Sequence, residues 1–402
     1  MGACGTLNDL DLTRFAVSRL LEITAPGPLW HLSLRLHHST CPCLPMSFTP
    51  TSVLVTGGAG FIGSNYLLHV VRAWPETLYV NLDALTYAGN LANLASVEDA
   101  PNYRFVHGDI NDAELLARLF AEHAFEAVVH FAAESHVDRS ILDPTAFVTT
   151  NVHGTLVLLQ AARTAWDGAG TPRRFHHIST DEVFGSLGPE GVFTAETPYA
   201  PRSPYAASKA SADHLVRAFG TTYHLPYVIT NTSNNYGPYQ FPEKLIPLVI
   251  RNAMKGEPIP VYGNGQNVRD WLYVEDHVKA LDIVLRRAEE GSTWLIGADQ
   301  EINNLDLVHL LLDEVDRVTG KHAGTSRALI RFVADRPGHD FRYALDSSPI
   351  EDQLGWKPEY DLNAGIRRTV AWYLDNVPWM DAVLDGAYRD YYSSQYGSRG
   401  MN

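Results

Sequence analysis

Cysteine is nearly absent from this 402-residue chain: there are three, Cys4, Cys41 and Cys43, all ahead of Met46. From Met46 onward the chain therefore has neither a disulfide framework nor a cysteine nucleophile. Cys41 and Cys43 are spaced C-x-C beside His37 and His38, which is not the separation of a zinc site. The seventeen histidines do not fall into H-E-x-x-H or a comparable spacing, so no metal is expected. Long apolar runs are missing too, and without about eighteen such residues in a row no membrane-spanning helix is expected. Positive charge is scarce, with 31 Lys and Arg against 46 Asp and Glu and a formal net charge of −15. That balance argues against a binder of nucleic-acid backbone, which needs clustered cations. A small anion in a local basic pocket stays open. The hydrophobic fraction of 45% and charged fraction of 19% belong to an ordinary globular protein.

Residues 1–45 show no strand alternation and only one short stretch of helical spacing, Thr13 to Ile23. Arg14, Arg19 and Glu22 interrupt any apolar signal core. We expect an extension outside the fold, disordered or a misassigned start, with Met46 as the natural beginning. The tail from Ala387, rich in Tyr, Ser and Gly, is expected to be peripheral or mobile.

Between these ends, short apolar runs alternate with helical periodicity. Runs at Val53–Val55, Leu78–Leu82, Tyr103–Val106, Ala127–Phe131, Arg174–Ser179 and Tyr227–Thr230 read as strands. Helical spacing fills Phe61–Arg72, Ala113–His123, Val148–Arg163 and Tyr205–Tyr223. This alternation predicts an α/β fold, a parallel sheet doubly wound with helices on both faces. After Asn231 prolines, glycines and aromatics crowd the chain, with no repeat and no low-complexity tract. The expected division is a dinucleotide-binding domain over 46–231 and a smaller, mainly substrate-binding lobe over 232–402.

Gly57-Gly58-Ala59-Gly60-Phe61-Ile62-Gly63 follows a strand and opens a helix. Gly57 permits the tight turn, Gly60 the approach of backbone to a pyrophosphate, and Gly63 the close packing of helix on strand. The helix N-terminus then offers unpaired N–H groups to phosphate. Asp83 ends the next strand, twenty residues after Gly63, where a carboxylate accepts from ribose hydroxyls and repels a 2′-phosphate. NAD is thus expected over NADP. The bland alternative is an ordinary turn and a solvated strand end.

Tyr205 and Lys209 stand at i and i+4 on one helix face. An ammonium there is expected to lower the phenol pKa, so that Tyr205 takes a proton from a sugar hydroxyl while hydride leaves the same carbon. Lys209 is also placed to hold the nicotinamide ribose. Asp181 and Glu182, directly after Thr180, exceed what hydride transfer needs. They suit elimination of water, one protonating a leaving hydroxyl and one taking the proton alpha to a ketone. Adjacent residues in extended chain point to opposite faces, so both serve one substrate only if the chain turns at Val183-Phe184-Gly185. Arg269 and Arg336 can neutralise a diphosphate, Tyr262 can pack on a base, and Asn234, Glu243 and Lys244 offer polar contacts. Arg269-Asp270 and Glu275 are equally readable as salt-bridge partners.

The G-x-x-G-x-x-G spacing resembles the extended short-chain dehydrogenase/reductase family. S-T-D-E-V-F-G at 179–185 resembles its nucleotide-sugar 4,6-dehydratase branch, with Phe184 where Tyr is usual. So do L-T-Y-A-G-N at 85–90, A-A-E-S-H-V-D-R-S at 132–140 and S-N-N-Y-G-P-Y-Q-F-P-E-K-L-I-P at 233–247. V-Y-G-N-G-Q-N-V-R-D-W-L-Y-V-E-D-H at 261–277 and R-P-G-H-D-F-R-Y-A at 336–344 complete the likeness. It implies a Rossmann-type sheet and a tightly bound NAD+ regenerated in each turnover. The implied reaction is dehydration of a nucleotide-activated glucose, with thymidine expected as the base. Asp109 and Ile110 are implied beside the adenine, and Ala132, Ala133 and Ser135 along the cofactor, with Phe61, Ile62, Leu85, Thr86, Thr150 and Asn235 contributing. For the substrate the resemblance adds Ser135, His136, Arg139, Leu245, Pro260, Asn304, His339 and Tyr343. Thr180, Asp181, Glu182, Tyr205 and Lys209 are its implied catalytic set. It further implies a homodimer joined through helices at 148–163 and 205–223. No feature of the sequence points to a membrane or extracellular site, so the cytoplasm is the expected location by default. A nucleotide-sugar 4-epimerase, a glucuronic acid decarboxylase and a catalytically idle NAD-binding regulator remain as alternatives.

Overall fold

A computed structural model describes residues 47–383. The cysteines, the Thr13–Ile23 stretch, the rest of the 1–45 extension and the tail from Ala387 lie outside the described residues.

The chain begins with β1 (Ser52–Thr56), α1 (Phe61–Ala73), β2 (Leu78–Asp83), β3 (Tyr103–His107), α2 (Ala113–His123) and β4 (Ala127–His130). Short helices α3 (Val137–Leu142) and α4 (Pro144–Phe147) lead into a π-helical stretch, Val148–Gly154, which continues as α5 (Thr155–Trp166). Then come β5 (Arg174–Thr180), α6 (Pro204–Tyr223), β6 (Tyr227–Thr232) and β7 (Asn234–Tyr236). The remainder is α7 (Leu245–Lys255), β8 (Ile259–Tyr262), β9 (Val268–Tyr273), α8 (Val274–Arg287), β10 (Thr293–Ile296) and β11 (Glu301–Asn303). Last are α9 (Asn304–Thr319), β12 (Ile330–Val333), α10 (Ser348–Leu354), α11 (Leu362–Asp375) and α12 (Val377–Ala382).

Seven strands form one sheet in the order β10-β6-β5-β4-β1-β2-β3, every pairing parallel. Its central strands are buried on both faces: Ser52–Thr56 and Arg174–Thr180 have no exposed residue. β1 is accordingly apolar through Val53, Leu54 and Val55 instead of alternating, whereas β5 buries Arg174, His176, His177, Ser179 and Thr180 beside Phe175 and Ile178. Tyr66, Leu67 and Val70 of α1 pack one face together with Val278, Leu281 and Leu285 of α8. Leu116 and Phe120 of α2, Leu158 of α5 and Val216 of α6 pack the other. The sheet is thus doubly wound as the alternation predicts, and its order reverses between β1 and β4, where a crevice opens at the carboxyl ends of the strands.

Two features exceed the local patterns. The seventh strand, β10, comes from beyond residue 231 and pairs with β6, and α8 packs against α1. The later chain thus returns to the sheet before completing its own small sheets, β11-β9-β7 and β12-β8. The helix expected across 148–163 is π-helical through Gly154. There Asn151 turns inward: its Oδ1 accepts from Glu134 N at 2.8 Å, and its Nδ2 donates to Glu134 O and Ser208 Oγ. A widened turn at a functional wall is the usual setting for such a stretch. No helix among the described residues is long and apolar enough to cross a membrane.

Candidate active site

The cofactor cradle is set by backbone. Gly57 has a φ of +72°, and a Cβ on it would lie 2.6 Å from Ala132 N. A Cβ on Gly63 would lie 2.3 Å from the Gly57 carbonyl oxygen. Any larger residue would force the turn open at both positions. Gly60 caps α1 without a side chain, so the first N–H groups of the helix remain free for an anion. Across the turn Asp83 accepts from Leu85 N through Oδ1 and from Ala59 N through Oδ2, both at 2.8 Å. Each oxygen keeps a further lone pair for a ribose hydroxyl. Burial pushes the Asp83 pKa up, and the two backbone bonds oppose it. This cradle fits a dinucleotide.

The candidate reactive groups sit where β5 ends. Thr180 caps a tight 3-10 turn, Asp181–Phe184, its Oγ1 accepting from Glu182 N at 3.3 Å. Gly185, in the left-handed region, ends that turn. The turn is what lets neighbouring carboxylates work together. Asp181 is 3% exposed, and one of its oxygens, Oδ2, has no hydrogen-bond partner. Burial, then the nearby Glu182 charge, holds its pKa well above the ordinary carboxylate value. Glu182 is partly exposed. Burial raises its pKa too, but Arg336, Arg269 and Lys244 pull against that rise. A carboxyl buried without an offsetting hydrogen bond on one oxygen, next to one opposed by three cations, is an arrangement suited to acid-base work.

Ser203 caps α6 by accepting from Ala206 N, and Pro204 occupies the first turn, so Tyr205 enters the helix at its start. Lys209, 4% exposed, donates to Ile178 O at 2.7 Å. Burial brings its pKa down to about 8, against the pull of Asp213. The expectation of a lowered phenol pKa needs correcting. Burial, then the Glu182 charge, drives Tyr205 up, opposed by a hydrogen bond from Thr180. Desolvation outweighs the ammonium one turn away.

Two clefts meet here. The first is lined by Gly57, Gly60, Phe61, Ile62, Gly63, Asp83, Thr86, Asp109, Ile110, Ala132, Ala133 and Thr150, and by Thr180, Asp181, Tyr205 and Lys209. The second is lined by His136, Leu245, Pro260, Tyr262, Arg269, Asn304, Arg336 and His339. Ser135, Glu182, Asn234, Asn235, Glu243 and Lys244 belong to both. Glu182 therefore stands at the junction.

Three residues singled out from sequence lie behind these walls. Leu85, at φ +50°, ties its N–H to Asp83. Arg139 stacks on the Tyr87 ring at 4.0 Å and binds Glu243 Oε2 at 3.3 Å. Tyr343 lies under the Arg269 guanidinium, 4.3 Å from it, and donates to Asp340. Arg269 itself gives bonds to the carbonyls of Val268 and Asp340, which fix its direction. Conversely Tyr87, Glu134, Gln240 and Trp271 line the clefts although sequence reasoning passed over them. All four lie inside the quoted tracts, which were the available signal. Tyr262 donates to Asp138 Oδ2 at 3.0 Å, which anchors its ring at the mouth of the second cleft.

The chain matches the family described as GDP-mannose 4,6 dehydratase over residues 54–369. A dTDP-glucose 4,6-dehydratase of Escherichia coli K12 is 52% identical over 360 residues, covering 86% of this chain and 99% of that protein. The crystal structure of the dTDP-glucose 4,6-dehydratase DesIV from Streptomyces venezuelae, with NAD bound, superposes with a TM-score of 0.76. It is 46% identical and covers 83% of this chain and 99% of its own. A UDP-glucose 4-epimerase from Thermotoga maritima superposes with a TM-score of 0.71 at 27% identity, covering 81% of this chain and 99% of its own.

Proposed function

The chain belongs to the GDP-mannose 4,6-dehydratase family, and from that premise we infer that it dehydrates dTDP-glucose to dTDP-4-keto-6-deoxyglucose. It is an NAD-dependent hydro-lyase. The observation that carries this reading is the Asp181-Glu182 turn at the junction of the two clefts. An epimerase has no use for a second acid-base pair. An idle NAD-binding regulator has no use for a buried phenol and ammonium beside it. The decarboxylase reading has no observation in its favour.

Bound NAD+ supplies the two-electron acceptor for C4 and the donor for C6, so net redox is zero. Tyr205 as the phenolate, the form that the Lys209 ammonium favours, takes the proton of the C4 hydroxyl, with Thr180 hydrogen-bonded to that hydroxyl and Lys209 beside the nicotinamide ribose. The ketone formed at C4 acidifies C5. Glu182 then removes the C5 proton, and Asp181, whose burial favours its protonated form, gives a proton to the departing C6 hydroxyl. Arg269 and Arg336 bind the diphosphate, and Tyr262 packs against the base. Product analysis without added reductant tests the reading: a 4-keto-6-deoxy sugar is expected, and a galactose configuration would indicate epimerisation instead.

Asp83 makes the cofactor preference testable. A 2′-phosphate against a carboxylate whose oxygens both bind backbone is a like-charge contact worth several kcal/mol. Stripped enzyme should therefore bind NADP+ roughly a hundredfold more weakly than NAD+ by calorimetry, or weaker still. Equal affinities would remove Asp83 from this role.

Residues 46–231 make up the cofactor half and the chain from 232 mainly the sugar-nucleotide half. The enzyme is a homodimer joined through the helical stretches at 148–163 and 205–223. Exposed apolar side chains at Ile141, Leu142 and Val148 support such a face. It works in the cytoplasm, since both NAD+ and a nucleotide sugar are anions that do not cross lipid unaided.

A further inference from the structure

The reaction as derived makes no use of Asp213, yet this carboxylate has no solvent exposure at all. Burying a carboxylate costs several kcal/mol unless hydrogen bonds and a counter-charge offset it. Its hydrogen bonds are plain. Oδ2 accepts from Ser179 Oγ and Tyr199 OH, each at 2.8 Å, and from Asn231 Nδ2 at 3.4 Å. The same Asn231 amide donates to Thr180 O at 3.0 Å. His177 Nε2 lies 3.0 Å from Oδ1. Asp213 thus holds the last two residues of β5, which place Thr180 and begin the Asp181-Glu182 turn.

The counter-charge is less obvious. Burial, then the charge of Lys209, keeps His177 below its ordinary pKa, so it is a neutral neighbour near pH 7. Arg217 reaches Asp213 only through the Tyr199 hydroxyl, at 3.0 Å. The remaining cation is Lys209, one turn before Asp213 on the same face of α6, as Tyr205 is one turn before Lys209. Burial pushes the Asp213 pKa up, but contact with His177 and the charge of Lys209 bring it below the ordinary value.

We propose that Asp213 is a positioning residue for the oxidation step: it keeps Lys209 an ammonium and fixes the Ser179–Thr180 strand end against α6. The proposal rests on Tyr205 and Lys209 as the proton-abstracting pair. The groups facing this cluster are His177 from β5, His130 from β4 with its ring 5.4 Å from that of His177, and Tyr199 from the segment before α6. Arg217 lies further along α6, and Asp181 and Glu182 face Tyr205 from the turn. Asp213 is the buried carboxylate that shares the Lys209 face of α6, one turn away.

The test is the pH profile of single-turnover reduction of bound NAD by dTDP-glucose, followed by nicotinamide absorbance. Asp213→Asn should slow reduction roughly tenfold or more at pH 7.5 and move the basic limb about one pH unit or more downward. The sign follows from Lys209: without the carboxylate it loses its proton at lower pH. Asp213→Glu keeps the charge and Tyr199→Phe keeps the carboxylate, so both should leave the basic limb where it is, whatever their rates. A limb unmoved in Asp213→Asn, with rates lowered alike at every pH, would overturn the proposal. If that variant does not fold, Asp213→Glu decides alone: a displaced limb despite the retained charge overturns it. Normal turnover in Tyr205→Phe would instead overturn the underlying assignment of the pair.

Discussion

Glu182→Gln is expected to lower overall dehydration by about a thousandfold while leaving the first half of the reaction running. The amide is close in size to the carboxylate and can keep the backbone bond to Thr180, so the turn Asp181–Phe184 should persist. What is lost is the basic oxygen pair that adjoins Asp181 at the junction of the two clefts. Oxidation at C4 depends on Tyr205, Thr180 and Lys209 and remains possible. Mixing the variant with dTDP-glucose should therefore give a nicotinamide absorbance that rises and stays, with no deuterium entering C5 from heavy water. Normal turnover in this variant would refute Glu182 as the base. In the unaltered enzyme, burial raises the Glu182 pKa, so the acid limb of turnover should lie above that of an ordinary carboxylate.

Tyr205→Phe should fail earlier. Removing the phenol oxygen takes away the acceptor for the C4 hydroxyl proton, a loss of about a hundredfold to ten thousandfold. Neither reduction of bound NAD nor exchange at C5 should then occur, because no ketone forms to acidify that proton. Folding should be little affected: Tyr205 packs edge-on against Phe147, a contact that a phenylalanine ring retains. Bound NAD content should also stay near that of the unaltered protein, since Gly57, Gly63 and Asp83 are untouched. The two variants therefore stop at different points. A Tyr205→Phe protein that still exchanges C5 would separate the tyrosine from oxidation.

Much of this is legible in the sequence. The glycine turn, the strand-final Asp83 and the four-residue spacing of Tyr205 and Lys209 are local patterns, and local geometry determines what they build. The need for a turn after Thr180 could be stated from the alternation of an extended chain, and the 3-10 turn at Asp181–Phe184 meets it. Phe184, where a tyrosine is usual, stacks 5.1 Å from Phe193 in a small apolar cluster, so its ring is fully used by packing. Other features depend on distant partners. Nothing in Thr293–Ile296 itself says which sheet it joins; the pairing with β6 decides that. The direction of the Tyr205 pKa depends on how deeply the helix start is buried, which spacing does not encode. Asp213 is readable as one more turn of α6, but its role depends on Ser179, Asn231 and His177 from two other strands.

The most direct measurement follows a single deuterium. The enzyme would be incubated with dTDP-glucose labelled at C4, in ordinary water and without reductant, and the product read by NMR. An internal redox cycle predicts a 4-keto-6-deoxy sugar carrying the label at C6, a proton from solvent at C5, and no lasting change in nicotinamide absorbance. A product that keeps its label at C4 with inverted configuration, or a 6-deoxy product without it, would contradict the account.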